Sequence, residues 1–194
     1  MKKKNKSQIN GILSPFLQKM RIKNAKPFLK GKKFLDIGCS LGEIIPFLPK
    51  GAEYVGVEGN KAYFENAVNF NPSYKFINAY LTGSNMHSFG FEKFDVIIAL
   101  AVIEHIDNPK FLLAELKKHI SKGGLIIIST PSKFADFILK AGSFLGIFMN
   151  EMGEHKELFT KKSLIMLARN AGFKIKKVKS FEFGLNYLMI LSID

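Results

Sequence analysis

A single cysteine, Cys39, stands among 194 residues, so no internal disulfide can form and a reducing cytoplasm is the expected location. No run of about eighteen uncharged apolar residues occurs, which argues against a helix that spans a bilayer. The start of the chain, Met1 to Lys6, is basic but leads into Ser7-Gln8-Ile9-Asn10-Gly11 without the apolar stretch that a secretory signal needs. Internal repeats and low-complexity linkers are also missing. Acidic residues are scarce: 16 Asp and Glu face 29 Lys and Arg, for a net charge of +13. None of those acids precedes Asp36, whereas Lys2, Lys3, Lys4, Lys6, Lys19, Arg21, Lys23, Lys26, Lys30, Lys32 and Lys33 all do. Such a segment attracts nucleic acid, an anionic membrane surface or a phosphorylated ligand, with a merely solvated basic face as the competing reading. Lysine dominates it and aromatic residues are sparse, so base-specific readout of nucleic acid is not expected.

What is present suits one core. At 47% hydrophobic residues, a chain of this length buries one sizeable interior and does not call for two. Apolar runs alternate with helical spacing, the pattern of a parallel sheet covered on both faces. Ser14 and Pro15 suit the start of a helix that carries Phe16, Leu17 and Met20 on one face. Asn60 is placed to cap a second helix, and residues 74–80 read as a strand. Asn108 and Pro109 open a helix in which Leu112, Leu113, Leu116 and Ile120 recur at helical spacing, and Ser121-Lys122-Gly123-Gly124 should end it. Thr160 suits the cap of a helix through Leu164, Leu167, Ala168 and Ala171, stopped at Gly172. Residues 173–183 and 185–192 should close the chain as an antiparallel pair around Gly184.

The most informative stretch is Phe34-Leu35-Asp36-Ile37-Gly38-Cys39-Ser40-Leu41-Gly42-Glu43, where an apolar strand ends on a carboxylate and opens into spaced glycines. Glycines at such a turn permit positive φ and leave bare peptide groups for a ligand to approach. The next apolar run, Tyr54-Val55-Gly56-Val57, ends on Glu58, about twenty residues after Gly38, where a nucleotide-binding βαβ unit places the acid that holds a ribose. The plain alternative is a tight βα turn with a solvated carboxylate nearby; the matched separation argues against it. The dinucleotide pattern G-x-G-x-x-G fails here, because the chain reads G-C-S-L-G.

The segment instead resembles motif I of the class I S-adenosylmethionine-dependent methyltransferases, with Asp36, Gly38 and Gly42 matching and Ser40 standing at the middle glycine. Phe94-Asp95-Val96-Ile97-Ile98-Ala99-Leu100-Ala101-Val102-Ile103-Glu104-His105-Ile106 is similar to the family's fourth strand and the Glu-His turn that follows it. Residues 125–131 resemble the fifth strand. The resemblance implies an α/β fold, a Rossmann-like, doubly wound, mostly parallel sheet with an antiparallel last strand, in a single domain at 34–194 preceded by a basic helical arm at 1–33. It implies S-adenosyl-L-methionine as cofactor, held by Asp36, Gly38, Cys39, Ser40, Gly42, Glu58, Gly59, Asn78, Tyr80 and Leu100.

Two departures stand out. The family often places an aspartate after the third strand to hold adenine; this chain has Asn78-Ala79-Tyr80-Leu81, so Asn78 would offer an amide oxygen or Tyr80 a stacking face. Ubiquinone-pathway O-methyltransferases, which the Glu-His segment also resembles, can carry another glutamate three residues earlier at a metal site. Ala101 stands there, and no metal is expected.

Methyl transfer needs alignment and exclusion of water, with a general base only if the acceptor is a hydroxyl. His155, His105 and Glu104 are the catalytic candidates, each with a structural, hydrogen-bonded role as its alternative. Phe134, Phe137, Ile138, Phe144, Leu145, Ile147, Phe148 and Met149 make an apolar segment broken by Asp136, Lys140, Gly142 and Gly146, either a lid over an apolar acceptor or a helix on the core. Glu154-His155-Lys156-Glu157-Leu158-Phe159-Thr160, Gly172-Phe173 and residues 181–186 resemble small methyltransferases of cell-surface polysaccharide and glycolipid synthesis. The expected activity is methyl transfer, at oxygen, to a small-molecule, sugar or lipid-linked acceptor, in the cytoplasm or at the inner face of a membrane. Nucleic acid is a less favoured partner: an RNA methyltransferase is the alternative enzyme, without an Asn-Pro-Pro-Tyr-like or cysteine-nucleophile motif after strand four. A cofactor-binding subunit without turnover is the non-enzyme alternative.

Overall fold

The computed structural model describes residues 13–81, 92–135 and 158–194. Seven strands form one sheet in the order β3-β2-β1-β4-β5-β7-β6: β1 (Lys33–Ile37), β2 (Glu53–Glu58), β3 (Lys75–Asn78), β4 (Phe94–Leu100), β5 (Ile120–Pro131), β6 (Lys174–Phe181) and β7 (Asn186–Ser192). β1 to β5 run parallel, and β7 lies antiparallel to both β5 and β6. The sheet is therefore the expected mostly parallel, Rossmann-like one. Its order reverses at β1 and β4, so their carboxyl ends diverge into the crevice where ligands of such sheets bind.

Burial on both faces explains why the central strands are almost continuously apolar. Leu35, Ile37, Ile97, Ala99, Ile126, Ile128, Met189 and Leu191 face one core cluster, together with Leu112, Leu113 and Leu116 of α3 (Pro109–His119) and Leu164 and Ala168 of α4 (Lys161–Asn170). Phe34, Val96, Ile98, Ile127, Leu188 and Ile190 face the other cluster, with Ile22 and Ala25 of α1 (Leu13–Ala25). Leu113 is fully buried, and truncating such a side chain to alanine costs about 2 to 5 kcal/mol.

The helix starts follow the capping chemistry. The side chain of Asn60 accepts from the Ala62 and Tyr63 amides at the start of α2 (Lys61–Phe70). Asn108 Oδ1 accepts from Phe111 N at 3.0 Å, with Pro109 in the first turn of α3. Thr160 and Ser163 close a reciprocal capping box on α4, and Gly172, at φ 75°, follows its end.

Three boundaries differ from the expectation. α3 stops at His119, and Ile120 through Gly124 already belong to β5. The bulge that shifts the β4–β5 register between Phe94 and Val96 absorbs the two glycines into the strand. β3 is shorter than residues 74–80. In α1 the buried positions are Ile22 and Ala25, one turn later than expected, while Phe16 is 57% exposed. Most of the apolar segment after Phe134, His155 and the first twelve residues lie outside the described residues.

Candidate active site

The glycine turn after β1 folds back across β2. Gly38 N and Cys39 N both donate to Val57 O, at 2.8 and 3.1 Å. Gly38 and Gly42 take φ values of 66° and 78°, conformations that glycine adopts without steric cost. A Cβ on Gly38 would also lie 2.7 Å from Val102 Cγ2. Ser40 adopts φ 50° in the same turn, so the residue at the middle-glycine position keeps a glycine-like backbone at some strain.

Glu58, at the end of β2, ties this turn to its own. Its Oε2 accepts the Ser40 amide at 2.9 Å and its Oε1 accepts the Asn60 amide at 2.8 Å. Each carboxylate oxygen has a second lone pair for a ligand hydroxyl. Glu43 secures the far side, accepting from Leu41 N at 3.1 Å and Ser40 Oγ at 3.4 Å. Beneath the turn, Asp36 is 5% exposed and accepts the Tyr54 hydroxyl at 2.8 Å. Burial outweighs that hydrogen bond and raises the Asp36 carboxyl to about 7. Burial likewise pushes the Cys39 thiol and the Tyr54 phenol upward, so Cys39 is a packed, inert thiol in this state.

Beside Glu58, the Asn78 amide nitrogen donates to the carbonyls of Glu58 at 2.8 Å and Gly59 at 3.3 Å. That commitment leaves Oδ1 as the atom with which Asn78 can meet a ligand. Tyr80 is 74% exposed, and its ring covers Gly59 so closely that a Cβ there would stand 2.3 Å from Cδ1. Across the crevice, Leu100 ends β4, and the Ala101 amide donates to Ser129 O at 2.9 Å with Ala101 at φ 58°. Glu104 is 1% exposed and accepts the Thr130 hydroxyl at 3.1 Å. Burial raises its carboxyl, against the attraction of His105 and Arg21 and the Thr130 bond. His105, its neighbour in the turn, is exposed.

The structure thus gathers Asp36, Gly38, Cys39, Ser40, Gly42 and Glu58 around one turn, sets Gly59, Asn78 and Tyr80 at its rim, and puts Leu100, Glu104 and His105 across the crevice. His155 is outside the described residues. Sequence reasoning missed Tyr54, which supports Asp36, and Thr130, which holds Glu104. Thr130 had a signal, as a hydroxyl in an otherwise apolar strand; Tyr54 had none, because its partner is chosen by β1–β2 register.

These residues fit S-adenosylmethionine. A carboxylate with spare acceptor capacity suits the ribose, an exposed ring beside it suits adenine, and the bare Gly38 peptide admits close approach.

The family model of the methyltransferase domain matches residues 8–178. The ubiquinone biosynthesis O-methyltransferase of Pelagibacter ubique is 29% identical over 194 aligned residues, which cover 93% of this chain and 78% of that protein. The mitochondrial enzyme of the same name from Dictyostelium discoideum is 33% identical over 119 residues, 54% of this chain and 37% of its own length. Among solved structures, the magnesium protoporphyrin IX methyltransferase of Synechocystis with bound S-adenosylhomocysteine superposes with a TM-score of 0.71 at 17% identity, covering 96% of this chain and 89% of that one. With the fold, the turn and the family match in agreement, the chain belongs to the class I S-adenosylmethionine-dependent methyltransferases, a family of enzymes.

Proposed function

We propose that this protein transfers the methyl group of S-adenosylmethionine to an oxygen of a small, apolar or lipid-linked acceptor. The observation that carries the reading is the Glu58 carboxylate, held by one amide from each of two turns at the mouth of the crevice. When bound, the cofactor supplies a methyl carbon already activated by its sulfonium. Glu58 would accept two ribose hydroxyl hydrogens, Asn78 Oδ1 and the Tyr80 ring would meet the adenine, and the Leu100 backbone would meet the methionine amino group. Gly38 and Gly42 would leave the peptide bare, with the small Ser40 between them and Cys39, Gly59 and Asp36 shaping the walls from behind. For a hydroxyl acceptor, His105, Glu104 or His155 would take the proton; the buried Glu104 holds one more readily than an ordinary carboxylate does.

Similarity to ubiquinone biosynthesis O-methyltransferases supports oxygen as the methylated atom and an apolar acceptor. The basic stretch before residue 34 would act as an arm that meets an anionic membrane surface where such an acceptor resides, at about 1 kcal/mol for each lysine near it. Among the described residues no helix is long and apolar enough to cross a membrane. Nucleic acid suits the site less, because the arm has one arginine among its lysines. Calorimetry with S-adenosylhomocysteine, followed by transfer of labelled methyl to membrane-extracted lipids, tests the reading. Absence of cofactor binding would refute it, and labelling of RNA in place of lipids would transfer it to the other substrate class. Salt-sensitive sedimentation with anionic vesicles, weakened on removing residues 1–6, tests the arm; no sedimentation even at low salt would exclude the surface.

A further inference from the structure

The face of the sheet on which α1 lies carries positive charge without a counter-charge. Neither residues 13–35 nor residues 158–181 contain an aspartate or glutamate. On α1, Phe16, Lys19 and Lys23 recur at three- and four-residue spacing and are exposed, while Ile22 and Ala25 of the same helix face the core. On β6, Lys177 pairs with Ile190 and Lys179 with Leu188. Paired residues share a sheet face, and Ile190 and Leu188 belong to the cluster that α1 covers, so both lysines project beside that helix. Lys177 Nζ stands 5.7 Å from the centre of the Phe28 ring, just after α1, which joins strand and helix into one surface. None of these lysines enters an ion pair among the described residues. Lys179 is held below the usual lysine range, first by partial burial and then by Lys177, so the face suits an anionic partner.

An apolar fringe borders these lysines. β6 and β7 meet in a turn where Glu182 and Phe183 both take left-handed backbone, at φ 52° and 55°, conformations that favour glycine or asparagine. The strained turn holds the Phe183 ring fully in solvent, and neither the strain nor the exposure aids a fold in water. β6 runs antiparallel to β7 and β7 to β5, so the turn lies at the same carboxyl edge as the crevice. Arg21 is drawn to Glu182, and the residues of α1 before it, exposed Phe16 among them, lie at this edge as well. Ser132 N donates to Leu185 O at 2.8 Å, which brings exposed Phe134 to the same place. Nucleic acid offers phosphates to the lysines but no apolar phase for the rings. An anionic bilayer offers both.

We propose that this face docks on an anionic bilayer, with Lys19, Lys23, Lys177 and Lys179 against headgroup phosphates and Phe16, Phe134 and Phe183 at the acyl boundary. The proposal rests on the lipid-resident acceptor of the reading above and gives it an orientation. The crevice opens on the edge that the phenylalanines fix to the bilayer, so an apolar acceptor enters without crossing water. β6, from the far end of the chain, becomes part of the binding surface.

The test is sedimentation of the full-length protein at low salt with vesicles of mixed phosphatidylglycerol and phosphatidylcholine, against phosphatidylcholine alone and with single-stranded RNA as competitor. The wild-type protein should prefer the anionic vesicles about tenfold or more. Lys23→Gln combined with Lys179→Gln should weaken that binding about tenfold, since each lysine near the surface contributes a few-fold. Phe183→Asn should also weaken it about tenfold through lost apolar contact. Its melting temperature in solution should stay unchanged or rise, because asparagine accepts φ 55°. S-adenosylhomocysteine affinity should be unchanged in both variants. Wild-type vesicle affinity in either variant would overturn this inference alone. So would a lowered melting temperature in Phe183→Asn, which would show the ring packed against the chain itself. Displacement of the vesicles by RNA at equal phosphate would overturn it in favour of nucleic acid, and no sedimentation of the wild-type protein would overturn the face and the arm together. Loss of S-adenosylhomocysteine binding in the wild-type protein, with vesicles still bound, would refute the methyl-transfer reading and leave the docking face standing.

Discussion

The turn after β1 and the polar side chains of Arg21, Ser129, Glu182 and Asn186 near the end of β5 sit on the same edge of the sheet, and both are rich in polar atoms. Around Glu58 the loop amides are taken: Gly38 and Cys39 by Val57 O, Ser40 and Asn60 by the carboxylate, Leu41 by Glu43. Around Arg21 four buried atoms wait unpaired. One region draws its partners from residues 36–60; the other draws them from residues 21 to 186. A turn built largely from backbone within one βαβ unit serves a ligand shared by a whole family, whereas a polar group converging from distant segments depends on how the whole sheet is assembled. The two halves should therefore respond differently to substitution.

The largest effect concerns the support beneath the turn. Burial holds the Asp36 carboxyl near 7 in the folded protein, while in an unfolded chain an aspartate titrates near ~4. The folded state thus binds this proton more tightly, so the group's contribution is complete below pH ~4 and is lost as pH rises to about 7. Asp36→Asn should remove this slope, which integrates to roughly 4 kcal/mol across that window. Urea unfolding from pH 4 to 8 measures it; an unchanged slope in the variant would show that Asp36 stays ionised in the fold.

Next comes Glu58→Ala, which should cost about 2 to 4 kcal/mol of S-adenosylhomocysteine affinity through loss of two charge-assisted hydrogen bonds. Calorimetry giving wild-type affinity would remove Glu58 from the ribose. On the other side of the crevice, Thr130→Val preserves shape but deprives buried Glu104 of its donor, for about 1 to 3 kcal/mol of stability. Cofactor affinity should stay unchanged there, and a parallel drop in both quantities would collapse the distinction between the halves. The smallest effect is expected from Ser40→Gly: relief of the strain at φ 50°, partly offset by a freer unfolded chain, should raise stability by about 0.5 kcal/mol. A lowered melting temperature would show that the hydroxyl contact to Glu43 outweighs the strain.

That division also explains what could be read in advance. Asp36, Gly38, Gly42 and Glu58 were legible because their roles depend on spacing along the chain and on strand ends. Asn60, Asn108 and Thr160 were legible for the same reason, since a cap acts on amides two or three residues away. The extension of β5 back to Ile120 was hidden, because a helical count cannot reveal that a bulge in β5 opposite Phe94 to Val96 accommodates two glycines in the strand. Arg21 looked like one more charge in a basic arm; its burial depends on α1 resting against β7. Glu182 and Asn186 flank a glycine turn and carried no signal of chemistry, since their partner Arg21 lies at the other end of the sequence.

The reversed strand bears on how the chain reaches this state. β6 and β7 are joined by a short turn and can pair locally, but β7, the later strand, is the one that must seat against β5. Until it does, the β5 edge from Ile126 to Pro131 presents unpaired amides and carbonyls flanked by Ile126, Ile127 and Ile128. Docking the hairpin is therefore a late, long-range event in competition with the same strand from a second molecule, and crowded refolding conditions favour exchange over closure.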